Sequence, residues 1–213
     1  MAKILLASQN PGKIREICDY FNGLAGDSHQ KYPFLEDLVL VKPSDLAIRK
    51  EVSETGMTYA ENAALKARAY WQLSSMVTLG DDSGLEVAAL DGAPGLHSRR
   101  YSPLPGASDA DRRVFLLEQL HDKSLPWTAH FHCTVAIADM QGTLRFAEGN
   151  CHGEIIADER GSNGFGYDPI FLLPELGRTM AELSLEEKNR LSHRARALNA
   201  SLPLLQKIFD QEE

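Results

Sequence analysis

No apolar run in the sequence approaches the ~20 residues that a bilayer-spanning helix needs. The chain carries three cysteines, Cys18, Cys133 and Cys151, with no CxxC spacing. An odd, scattered set argues against a disulfide framework and a zinc site, and a reduced, cytoplasmic setting is expected. The apolar run Lys3-Ile4-Leu5-Leu6-Ala7 is too short for a secretory signal core and reads as a buried strand. Neither a Walker loop, GxxxxGK[ST], nor an EF-hand calcium loop occurs. Basic residues are outnumbered, 22 Lys and Arg against 30 Asp and Glu, for a net charge of −8. An acidic surface gains nothing from releasing phosphate counterions, so no nucleic acid polymer and no membrane is expected as partner. A small phosphate ligand held by a few local cations stays open.

What is present suits one globular domain over residues 1–213, since 43% hydrophobic residues can build a core. Residues 3–8 predict a strand, Asn10-Pro11-Gly12 a turn, and Ile14, Ile17, Cys18 and Phe21 a helix from Lys13. Residues 23–37 read as an irregular segment and Leu38 to Val41 as a second strand. Thr58 with Glu61 is a capping box opening a helix to about Leu73. Val77-Thr78-Leu79 predicts a third strand ending at Asp81-Asp82-Ser83-Gly84, with a fourth from Leu85 to Leu90. Ser108 with Asp111 opens another helix, ending near His121. Trp127 to Asp139 and Leu144 to Ile156 form a long antiparallel hairpin, followed by a short strand at Pro169 to Leu173. Ser184 with Glu187 starts a helical C-terminus that Pro203 is expected to interrupt or restart. Strands alternating with helices, plus the hairpin, predict the fold class α/β, a two-lobed domain around a mixed sheet with a long antiparallel hairpin.

Five constellations carry chemistry. Ser8-Gln9-Asn10-Pro11-Gly12-Lys13 joins a strand to a helix, where N–H groups and the dipole favour an anion. It reads equally as an ordinary strand-to-helix turn. Adjacent Asp81 and Asp82 repel unless a cation relieves them, which magnesium shared with phosphates would do. A solvated acidic turn is the alternative. Glu54, in Glu54-Thr55-Gly56, is a candidate second metal carboxylate, whereas Glu61 is accounted for by capping and Lys66 by a solvated helix face. Gly164-Phe165-Gly166-Tyr167-Asp168 could stack an aromatic on a base and read its edge, or form a turn with packed rings. In one continuous helix Lys188 and Arg194 would point about 120° apart. If both meet one ligand the helix breaks between them, and Ser192 could cap a new helix presenting His193 and Arg194.

Together and in this order, SQNPGK, ETGMTYAENAALKA, DDSGLEV, GAPGLHSRRY, FHC, GFGYDPIF and MAELSLEEKNRLSHRARAL resemble the noncanonical purine nucleoside triphosphate pyrophosphatases, the inosine triphosphatase family. The resemblance runs from Ser8 to about Leu198. It implies hydrolysis of inosine, deoxyinosine and xanthosine triphosphates to monophosphate and pyrophosphate, with Mg2+ as cofactor, a homodimeric assembly and an elongated α/β/α fold around a central mixed sheet. By motif, Ser8, Gln9, Asn10, Pro11, Gly12 and Lys13 would contact the triphosphate. Asp82 would be the catalytic carboxylate and a metal ligand, with Ser83 on the substrate. Phe165, Gly166, Tyr167 and Asp168 would line the base pocket, and Lys188, His193 and Arg194 would complete the site. The sequence departs from the family where an acid often precedes the ETG triplet, since Ser53 stands there beside the metal candidate Glu54. Two other readings are a pyrophosphatase for pyrimidine or modified nucleotides, and a regulatory module that binds a triphosphate without cutting it.

Overall fold

The structure, a computed structural model, describes residues 1–24 and 26–211. Its strands are β1 (Lys3–Leu6), β2 (Val39–Val41), β3 (Thr78–Val87), β4 (Trp127–Ala138), β5 (Leu144–Ile155), β6 (Phe171–Leu173) and β7 (Arg178–Thr179). Its helices are α1 (Pro11–Gly23), α2 (Asp27–Lys31), α3 (Tyr59–Ser74), α4 (Asp109–Leu120), α5 (Leu185–Leu191) and α6 (His193–Asp210). The seven strands form one sheet in the order β2-β1-β3-β4-β5-β6-β7. β1 runs parallel to β2 and β3, whereas β6 runs antiparallel to β5 and β7. The sheet is therefore mixed, as the sequence predicts. The hairpin is present too: β4 and β5 are neighbours joined by a tight turn in which the Asp139 N–H donates to the Thr143 carbonyl at 3.0 Å.

The chain divides into two compact units, each including part of β3, β4 and β5. The first comprises Met1–Asp82, Cys133–Gly149 and Arg194–Glu213. On one face of its sheet, Ile4, Leu6, Leu79, Cys133, Val135 and Ile137 pack against Ile17 and Phe21 of α1 and Leu198, Leu202 and Leu205 of α6. On the other face, Ala63 and Ala67 of α3 pack against Ala136 and Ala138. Gly80 lets α3 approach closely, because a Cβ there would meet the Ala63 carbonyl oxygen at 2.7 Å and the Ala67 nitrogen at 2.8 Å. In the second unit, Ser83–His132 and Asn150–His193, the core gathers Leu85, Leu116, Phe131, Ile155, Tyr167 and Phe171.

Three sequence expectations need correction. The irregular segment predicted over residues 23–37 contains α2 and a 3-10 turn over Pro33–Asp37, whose Phe34 and Leu35 are buried. Ala25, within that segment, lies outside the described residues. The third and fourth strands are one ten-residue strand, β3, so the two aspartates sit inside a strand rather than at its end. Pro203 neither breaks nor restarts α6. It forfeits one backbone hydrogen bond, but Leu202 and Leu205 are buried on either side and packing outweighs the loss.

Burial also leaves an alkaline signature. It pushes the Cys133 thiol, with Asp81 nearby, up from 9.0 to about 12, and the Tyr20 hydroxyl up from 10.0 to about 12. Groups with raised values contribute stability that is whole below the unfolded value and is lost as pH rises through the folded one. The urea midpoint is expected to hold up to pH 9 and fall towards pH 12. Cys133→Ala should flatten that fall, and an identical slope in the variant would remove Cys133 as a cause.

Candidate active site

Successive side chains of a strand point to opposite faces, and this separates the paired aspartates of β3. Asp81 faces α1 and α6, where Lys13 Nζ lies 3.0 Å and Arg194 Nε 3.2 Å from its Oδ2. A second nitrogen of Arg194 pairs with Glu16. Burial opposes ionisation of Asp81, but Lys13, Arg194 and Lys66 outweigh it and hold the carboxyl well below its usual range. Arg194 is itself only 2% exposed, and its two carboxylate partners keep it firmly protonated. The repulsion that the sequence seemed to leave unrelieved is met by protein cations.

Asp82 faces α3. Its Oδ1 accepts from Lys66 Nζ at 3.0 Å, and its Oδ2 accepts from Asn62 Nδ2 at 3.2 Å. The same ammonium donates to Glu54 Oε1 at 2.8 Å. Lys66 is thus buried, not the solvated helix residue expected, and α3 brings it there because Asn62 and Lys66, four apart, share one face. Burial raises the Asp82 value, with Glu54 acting in the same direction and Lys66 and Lys13 opposing. For Lys66, Asp82, Asp81 and Glu54 outweigh the cost of burial and raise its value.

Whether this set could hold a hard divalent cation is answered by its donors. Oxygens of Glu54 and Asp82 converge on one positive nitrogen, which stands in for a cation between two carboxylates. Among the described residues, no group of three or more His, Cys, Asp or Glu forms a complete metal cage. Magnesium is commonly held by one or two carboxylates, with water and phosphate oxygens completing its shell. The pair fits that habit.

At the start of α1, Asn10 is the N-cap, its Oδ1 accepting from the Gly12 and Lys13 N–H groups at 2.9 and 3.2 Å. Ser8 Oγ accepts from the Asn10 N–H at 3.2 Å. Two helix N–H groups expected to face an anion are therefore capped, while the Asn10 amide and Ser8 hydroxyl keep their own hydrogens. Gln9 donates to the Tyr70 hydroxyl at 2.9 Å, and Pro11 is exposed at the first helical position.

The second unit assembles the remaining candidates. Asp168 Oδ2 accepts from Lys188 Nζ at 2.8 Å and from the Phe165 N–H at 3.0 Å. Lys188 lies 5.8 Å from the centre of the half-buried Phe165 ring. Gly164, at φ +77, admits only glycine, because a Cβ would collide with the Asp168 carboxylate. Tyr167 is buried, with its hydroxyl donating to the Ser98 carbonyl at 2.9 Å. His193 stacks on Phe131 at 4.7 Å between centroids. Ser83, partly buried, opens this unit on β3. Between α5 and α6 the chain breaks at Ser192, which is extended (φ −68, ψ 155), so Lys188 and Arg194 lie on different helices as anticipated.

Reading the sequence alone missed Glu16, Asn62 and Lys66. Their signal was weak: Glu16 falls three residues after Lys13, and Asn62 and Lys66 sit in a motif where alanines dominate.

The Ham1 family model matches residues 4–203 of the chain. Over 201 residues the chain is 43% identical to the dITP/XTP pyrophosphatase of Geobacter sulfurreducens, covering 93% of this chain and 94% of the relative. It is 37% identical over 215 residues to that of Desulforamulus reducens, covering 99% of both. A solved HAM1 protein from Coxiella burnetii superposes with a TM-score of 0.79 at 36% identity, covering 99% of this chain and 100% of that one.

Proposed function

The chain belongs to the Ham1 family, and from that premise we propose that it hydrolyses noncanonical purine nucleoside triphosphates, dITP, ITP and XTP among them, to the monophosphate and pyrophosphate. The observation that carries the chemistry is Asp82, buried inside β3 with one oxygen on Lys66 and the other on Asn62. A carboxylate fixed at both oxygens is pre-organised, and positioning supplies much of the catalysis in phosphoryl transfer.

In this reading Asp82 and Glu54 hold Mg2+, which when bound supplies positive charge against the triphosphate oxygens. Asp82 orients a water in line with the α-phosphorus and accepts its proton. Burial raises the Asp82 value, which makes it a better base than a solvated aspartate. Lys13, beside Asp81, offsets charge gathering on the pyrophosphate, and the Ser8 hydroxyl and Asn10 amide donate to its oxygens. Phe165 offers a face to the purine, and Lys188 is set in place by Asp168. A donor at the six-position oxygen favours hypoxanthine and xanthine, because adenine presents an amino group there and leaves a buried donor unmet. His193 is the candidate for that donor. Arg194, turned onto Asp81 and Glu16, acts by holding the start of α6 in place. The homodimer that the resemblance implies, the cytoplasmic setting expected from the scattered cysteines and one catalytic domain per chain complete the reading.

Product analysis with and without Mg2+ tests it. Turnover of dITP in heavy-oxygen water is expected to release pyrophosphate and label the monophosphate. Orthophosphate as the product, or label in pyrophosphate, would overturn attack at the α-phosphorus.

A further inference from the structure

The backbone of Gly166 is gripped from one helix at both its N–H and its carbonyl, one in each of the peptide groups that flank its Cα. Its N–H donates to Asp109 Oδ2 at 2.7 Å, and its carbonyl accepts from Arg113 Nη1 at 2.8 Å. Asp109 and Arg113 are four residues apart and so share one face of α4. The start of that helix is fixed by the reciprocal Ser108–Asp111 capping box. Each gripping residue is itself braced. Arg112 pairs with Asp109, and Arg113 forks onto Glu159 through Nε and Nη2 at 2.8 and 2.9 Å. Arg113 is only 12% exposed, whereas Glu159 is 43% exposed, so the arginine is packed and not a loose surface charge.

The grip matters because of what stands beside it. Gly164 and Gly166 both have positive φ, +77 and +63, so the backbone on either side of Phe165 could relax if nothing held it. Asp168 fixes the near side by accepting from the Phe165 N–H. The Gly166 grip fixes the far side. Gly166 therefore spends its own N–H and one carbonyl contact inside the protein, which makes it a hinge under restraint.

We propose that Asp109 and Arg113 are positioning residues for base recognition, setting the Phe165 ring through the Gly166 backbone without touching the substrate. The proposal rests on the nucleotide reading above and adds two residues to its specificity. Lysine cannot replace Arg113, because one ammonium cannot reproduce a planar fork on Glu159 together with a bond to the carbonyl.

The test compares kcat and KM for dITP and dATP, by pyrophosphate release, in the full-length wild type and in Asp109→Ala, Asp109→Asn, Arg113→Lys and Phe165→Ala. Asp109→Ala and Arg113→Lys are expected to raise KM for dITP about tenfold while kcat changes by less than about threefold. The dITP-over-dATP preference in kcat/KM should shrink in step. Asp109→Asn keeps an oxygen acceptor for the Gly166 N–H and should recover most of the loss. In a Phe165→Ala background the Asp109→Ala effect on KM should disappear, since the route through the ring is already cut. The proposal is overturned if Asp109→Ala and Arg113→Lys lower the melting temperature but leave KM and preference unchanged. It is equally overturned if the Asp109→Ala effect persists undiminished without the Phe165 ring. Failure of the nucleotide reading looks different: the wild type itself would release no pyrophosphate from dITP.

Discussion

Asp82→Asn is expected to cut kcat for dITP by about a thousandfold or more, because in the proposed mechanism it removes the general base and one metal carboxylate together. The fold should survive. Asparagine is close in size, and its oxygen can still accept from Lys66 or Asn62. Replacing a buried anion by a neutral amide also removes its desolvation cost, which offsets the weakened bond to Lys66. Activity and circular dichroism measured on one preparation separate the outcomes. Residual turnover within about tenfold of wild type would take Asp82 out of the chemistry. Loss of the folded signal would make it a structural residue first.

The second large effect concerns stability. Arg194→Met is expected to destabilise the protein by about 3–5 kcal/mol, since it takes one cation away from two buried carboxylates at once, Glu16 and Asp81, and leaves Asp81 to Lys13. For a chain of this size that corresponds to roughly 10 °C in melting temperature. Part should return in the Arg194→Met/Asp81→Asn double variant, where one of the two buried charges that lost the arginine is gone. The sign of the pH dependence follows from Asp81. Its folded value is depressed, so its contribution is present above the ordinary 3.8 and is lost as acid titrates it below that point. The gap between wild type and Arg194→Met should therefore hold at neutral pH and narrow only under strong acid. A variant as stable as wild type but deficient in dITP affinity would return Arg194 to the role of a direct base contact.

Local signals in the sequence were legible where they concern a few adjacent residues. Thr58, Ser108 and Ser184 each cap the helix expected of them, and the break falls at Ser192, the residue that the sequence offered as the cap of a new helix. The hairpin was visible as two runs of aromatic and β-branched residues around Gln141-Gly142. The errors at β3 and at Lys66 share a cause. Asp81-Asp82-Ser83-Gly84 has the composition of a turn, and only Lys13, Arg194 and Lys66, brought from distant segments, make it tolerable inside a strand. Lys66 looked solvated because nothing nearby in the sequence announces the carboxylates it meets.

The sequence by itself determined the family, the alternation of strands and helices, and the residue types available for phosphate chemistry, because these depend on order, spacing and side-chain identity. Tertiary structure alone decided which aspartate faces which cation. The alternation of β3 sends Asp81 towards α1 and α6 and Asp82 towards α3, and the ion pairs span up to 178 positions along the chain. Charge pairing in a buried place depends on distance in space, and spacing along a chain does not encode that until the sheet has set its faces.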